Sequence, residues 1–170
     1  MYTKNLLSIT VVFLLTISFF NTAKAQSDQR AQNVYLELAG PGLALSVNYD
    51  TRFGEKRNGL GGRIGFGYFP SPFFSIVSVP VQLNYLVGSR SHFLELGAGA
   101  TYLKVGDDNK NDDDNKFLSL FNTVTGVVGT ATIGYRYQPV DGGFNFRISA
   151  NPFVGEIVQL TGGVSVGYTF

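Results

Sequence analysis

The sequence predicts an all-β fold, an eight-stranded antiparallel up-and-down transmembrane β-barrel over residues 33–170. Apolar and polar residues alternate at period two in segment after segment, with no apolar helical stripe longer than two turns beyond Val34. The segments run to roughly 9 to 14 residues, matching the ~9–11 tilted residues that cross an apolar band rather than the ~5–6 usual in soluble strands. Connections alternate in type, with the longest and most acidic falling on the side where outer loops belong.

Residues 1–25 read as a signal peptide. Lys4 supplies the positive start, Leu6 to Phe20 the apolar run, and Ala23 and Ala25 the small residues of an A-x-A cleavage site before Gln26. The run is shorter than the ~20 residues of a spanning helix, so a membrane anchor is the weaker reading. Removing the segment takes Lys4 and Lys24 from the 13 basic residues, leaving 11 against 12 acidic ones and a net charge of −1. That balance gives no electrostatic footprint for nucleic acid. Residues 26–32 are polar and read as a short flexible leader.

The first strand is expected at 34–39, turning through Gly40-Pro41-Gly42 into a second at 43–53. A single strand over 34–53, bent at those glycines, would leave seven strands and break the even parity of bacterial barrels. The third, 60–69, carries Ile64, Phe66 and Tyr68 on one face and Arg63, Gly65 and Gly67 on the other. In 74–87, Val77, Val79, Val81, Leu83, Tyr85 and Val87 oppose Ser78, Pro80, Gln82 and Asn84. After the tight turn Gly88 to Ser91, strand 92–105 sets Leu94, Leu96, Ala98, Ala100 and Tyr102 against Glu95, Gly97, Gly99 and Thr101. A descending strand follows over 121–138. Next, 143–152 sets Phe144, Phe146 and Ile148 against Asn145, Arg147 and Ser149. The last, 160–170, sets Val164, Val166, Tyr168 and Phe170 against Gly163, Ser165, Gly167 and Thr169. With both termini in the periplasm, the acidic connection Gly106 to Lys116 faces outward, and outer-membrane lipid surrounds the apolar face. A secreted soluble sandwich with the apolar face in its core is the competing all-β reading.

The terminal Gly163 to Phe170, alternating and ending on Phe, resembles the closing signature of outer-membrane barrels. Tyr35-Leu36-Glu37-Leu38, Leu45 to Tyr49, Gly65 to Phe69, Val79 to Tyr85, Phe93 to Gly99 and Gly134 to Pro139 resemble a family of small Bacteroidetes-type outer-membrane β-barrel proteins, largely without assigned function. The resemblance covers nearly the whole chain after the signal peptide. It implies an outer-membrane location and an assembly signal at Val164, Val166, Tyr168 and Phe170 read by the barrel assembly machinery, and it implies no catalytic site.

Alternation aims Glu37, Asp50 and Glu95 inward together with Arg52, Arg63, Arg136 and Arg147. An eight-stranded barrel is narrow enough for side chains to fill, and an unpaired buried charge costs several kcal/mol, so these residues are expected to form a charge network that plugs the lumen, with Asn48, Gln82 and Asn84 completing it. A narrow pore is the alternative. Toward the outer end the inward residues are small: Gly65, Gly67, Ser78, Gly97, Gly99, Thr101, Ser149 and Gly163. They either let the wall curve and bulky neighbours fit, or line a shallow cavity open to the exterior for a small ligand or lipid tail.

No enzymatic activity and no cofactor are expected. The chain has no Cys, and its one histidine, His92, follows the tight turn at the periplasmic rim. Gly65-x-Gly67 lies within a strand and opens no phosphate-binding helix. Asp107-x-Asn109-x-Asn111 resembles the start of a calcium loop, but Asp112 stands where glycine is needed and Leu118 where the closing carboxylate belongs. Weak divalent-cation binding by 107–115 is therefore secondary to a solvated surface loop. Tyr85, Tyr135, Tyr137, Phe144, Tyr168 and Phe170 near one end, and Tyr68 and Tyr102 near the other, are expected to form interfacial girdles.

Overall fold

Strands that are apolar on one face and polar on the other leave no unpaired edge only when the sheet closes on itself. In the computed structural model, which describes residues 30–70, 74–107, 126–155 and 158–170, it does so. Strands β1 (Gln32–Ala39), β2 (Leu45–Arg52), β3 (Gly59–Pro70), β4 (Phe74–Ser89), β5 (His92–Asp107), β6 (Gly126–Tyr137), β7 (Gly143–Val154) and β8 (Val158–Thr169) each pair antiparallel with the next. β8 returns to β1, from Asn33 opposite Thr169 to Ala39 opposite Gly163, making a closed eight-stranded up-and-down barrel. Backbone hydrogen bonds run both ways between Gln32 and Phe170, at 3.1 and 2.9 Å.

β1 is a separate strand, because the chain reverses completely through a 3-10 turn at Gly40–Gly42, and the seven-strand alternative falls. β1 begins at Gln32, inside the segment expected to be a leader, and Ala31 is already buried. Pairing of Gln32 with Thr51 on one side and Phe170 on the other orders it. β4 and β5 are two residues longer at the terminal mouth and the loop mouth respectively than alternation suggests. They meet in a two-residue turn, Arg90-Ser91, with Arg90 at φ 58° as tight hairpins require. Residues 121–125 of the expected sixth strand lie outside the described residues.

The barrel has two mouths. The terminal mouth holds the two strand ends of the seam and connections 53–58, 90–91 and 138–142. The loop mouth holds the 40–44 turn and the connections after β3, β5 and β7. Side chains are distributed opposite to a soluble protein. Leu36, Val47, Phe66, Leu83, Leu96, Ile133, Ile148 and Val164 are exposed on the outside, whereas Asn48, Asp50, Arg52, Gln82, Glu95, Arg136 and Asn151 are buried within.

Candidate functional site

The lumen is built by strand parity: every second residue of eight tilted strands points at one axis, so groups far apart in sequence meet. Nearest the terminal mouth, Asp50 on β2 is the hub. It accepts from Arg52 Nη2 at 2.8 and 2.9 Å and from Arg136 Nη1 and Nη2 at 2.9 and 3.0 Å. Arg136 on β6 also donates to Glu95 on β5, from Nε at 2.9 Å and Nη2 at 2.8 Å. Asn84 on β4 donates to both carboxylates and accepts from Arg52. Asp50, Arg52 and Arg136 are fully buried, so these contacts act at low dielectric, and the network spans the lumen from wall to wall.

Glu37 and Arg63 form a second pair nearer the middle, with Arg63 Nη2 donating to Glu37 Oε2 at 2.8 Å. Arg147 on β7 completes the predicted set, with Nη1 3.7 Å from Glu95 Oε1 and 3.9 Å from Asp50 Oδ2 and the guanidinium carbon 3.7 Å from the centre of the Tyr35 ring. All seven charged residues named from sequence therefore lie in one buried cluster. Gln82 belongs to a neighbouring neutral chain, donating to Thr130 Oγ1 at 2.8 Å and accepting from Thr132 at 3.1 Å. Asn48 donates to Ser46 Oγ at 2.9 Å.

Below this cluster the terminal mouth is crossed by a strap. Arg57, in the 53–58 connection, donates to the Pro139 carbonyl on the opposite wall, and Asn58 donates to the Gly88 carbonyl at 3.3 Å. Half-burial lowers the pKa of Arg57, with Asp141 opposing the effect. Sequence reasoning missed this strap, since loop contacts follow no period.

The loop-mouth half is filled differently. Gly40, Pro41 and Gly42 are all buried, because the β1–β2 turn folds into the lumen. Ser78 Oγ donates to the Gly42 carbonyl at 2.6 Å and Thr101 Oγ1 to the Pro41 carbonyl at 2.8 Å. Two of the small inward residues make room for this main chain: a Cβ on Gly163 would come within 3.0 Å of Gly40 Cα, and one on Gly67 within 2.9 Å of the Gly42 carbonyl oxygen. Gly65 and Gly97 leave room for the neighbouring Asn48, Thr132 and Gln82 side chains, and among the described residues the turn occupies the space that an open cavity would need. Its ends are strained. Ala39 sits at φ 59°, ψ −135°, and Leu43 at φ 68°, ψ −75° centres a γ-turn closed by Ala44 N–H to the Gly42 carbonyl at 3.1 Å.

Tyr35, Leu86, Phe93, Leu103 and Phe153 are apolar yet point inward and are buried. Their hydrophobicity hid them, but their parity with Glu37, Asn84, Glu95 and Asn151 could have found them. The girdle residues Tyr68, Tyr85, Tyr102, Tyr135, Phe144, Tyr168 and Phe170 are exposed on the outer surface, as are Val164 and Val166. His92 lies on the outer rim of the terminal mouth, its Nδ1 2.6 Å from the Tyr135 hydroxyl and its ring 5.5 Å from that of Tyr137. Ala23, Ala25 and Gln26 lie outside the described residues, as does the expected cation loop beyond Asp107.

Fold and lumen together define a closed β-barrel that is polar and filled within and apolar without. No protein-family model and no curated protein matches the chain. Among solved structures it is similar to Ail, the attachment invasion locus protein of Yersinia pestis, at 16% identity and a TM-score of 0.38, over 83% of this chain and 96% of that chain. That likeness is too slight to bear on function.

Proposed function

We propose that this chain is an outer-membrane β-barrel without enzymatic activity, a sealed component of the cell envelope that presents loops at its outer mouth. The observation that carries the reading is the inverted distribution of side chains. Exposed Leu, Val, Ile and Phe cover the outside of every strand, and such a surface is stable only in lipid. The loop mouth then faces out of the cell and the terminal mouth faces the periplasm. Kinship with the small Bacteroidetes-type barrels belongs to the same reading and rests on the sequence segments.

Strap, charge cluster and inserted turn lie in series along the axis, which supports a structural or surface-interaction role over the narrow pore. The same filling leaves polar groups where an apolar ligand would need apolar walls, which weighs against a lipid-binding barrel. Partners in this reading are outer-membrane lipid around the belt, the barrel assembly machinery at the terminal strand, and at most a weakly held divalent cation at 107–115. The test combines two measurements. The protein from outer-membrane fractions should migrate differently on SDS gels before and after boiling, and in planar bilayers it should give no stable conductance steps. Recovery only from periplasm or medium sinks the membrane location, and regular unitary steps sink the sealed lumen.

A further inference from the structure

Among the described residues the charge cluster is one anion short. Asp50 and Glu95 stand among three guanidiniums, Arg52, Arg136 and Arg147, while Glu37 is matched by Arg63. The two carboxylates are engaged by Arg136 and Arg52 at hydrogen-bond distance. Arg147 reaches them only at 3.7 and 3.9 Å, and among the described residues none of its three nitrogens has a hydrogen-bond partner, although the residue is 4% exposed. Tyr35 and Ser165, 1% and 2% exposed, have hydroxyls that are likewise without partners. These three residues adjoin one another. Ser165 on β8 is directly opposite Arg147 on β7 and Glu37 on β1, and the Tyr35 ring, two residues along β1, lies under the Arg147 guanidinium at 3.7 Å. Arg63, whose Nε is also unpartnered, approaches the same ring at 5.9 Å.

We propose that Arg147, Ser165 and Tyr35 form a binding site for a small inorganic anion, of the size and charge of a halide, inside the lumen. A guanidinium offers donors and no acceptor, and each hydroxyl has a proton to donate, so the three unpartnered residues can all act as donors to an anion. A halide accepts from all of them and cancels the surplus charge. A water molecule leaves that charge uncompensated in a low-dielectric interior and needs acceptors of its own. The narrowness of an eight-stranded lumen restricts the guest to a monatomic or comparably small anion.

The site is tested with two halides, bromide in crystals and chloride in solution. Crystals of the refolded barrel grown in sodium bromide should show an anomalous peak in contact with the Arg147 guanidinium, and the peak should be absent in Arg147→Met. In detergent, exchanging gluconate for chloride should raise the unfolding temperature of the wild-type barrel, and Ser165→Ala should weaken the apparent halide affinity about tenfold. Three results overturn the proposal: no lumenal peak, an adventitious ion only on the outer surface, or an Arg147 that hydrogen-bonds directly to Glu95 or Asp50 with unfolding indifferent to halide. The wild-type crystal decides the matter even if Arg147→Met does not fold. Membrane location is not needed for any of these outcomes.

Discussion

The two halves of the lumen solve the same filling problem with different materials. Toward the terminal mouth, charged side chains from β1, β2, β3, β5, β6 and β7 reach inward and gather, while toward the loop mouth much of the wall is glycine, serine and threonine and a piece of main chain enters. The first arrangement depends on matching of charges, and the second on steric room and a few hydrogen bonds to carbonyls. Damage to the halves should therefore differ in size and in kind.

The largest expected effect is on the charged half. Arg136→Met leaves Asp50 and Glu95 buried after removing the cation they share, a loss of about 3–5 kcal/mol. The folded band on unboiled SDS gels should become scarce, with the urea midpoint sharply lowered, and an unchanged midpoint would mean the network is not what holds that half. A smaller effect is expected from Gly163→Val, which drives a branched side chain toward Gly40 Cα. Overpacking of this kind costs about 1–3 kcal/mol and should loosen the turn, visible as new protease cleavage near Gly40, while the charge cluster keeps its geometry. The smallest belongs to Ser78→Ala, which removes a side-chain hydrogen bond to the Gly42 carbonyl of the turn and should cost about 1 kcal/mol. If Ser78→Ala proved as damaging as Arg136→Met, the distinction between the halves would collapse.

The charged half was legible in the sequence and the other was not. Period two is enforced along every strand, so Glu37, Asp50, Glu95 and the four arginines could be assigned to the lumen from parity, and the eight-strand count followed from alternation and connection type. The fate of Gly40-Pro41-Gly42 has no such signal. Turn chemistry specifies a reversal but not whether it bends outward or into the barrel, and that choice rests on Ser78, Thr101, Gly67 and Gly163 in strands far along the chain. The strap from Arg57 to Pro139 was hidden for the same reason. Pairing inside the charged cluster was also beyond reach, because parity gives a face but not which arginine meets which carboxylate, nor that Arg147 would stand apart.

Closure of the ring also has a kinetic meaning. Each of the pairs from β1–β2 through β7–β8 joins chain neighbours, and even the longest of their connections, between β5 and β6, closes a far smaller loop than the seam does. The β1–β8 seam instead joins Asn33 to Thr169, and Thr169 Oγ1 donates to Asn33 Oδ1 at 2.6 Å across it. Loop entropy makes that contact the slowest to find. Until it forms, the first and last strands each keep an unpaired edge, and the sheet is an open ribbon able to pair with a second copy of itself. The interval before closure is therefore when this chain is most exposed to aggregation, and the contacts that end it are those between β1 and β8.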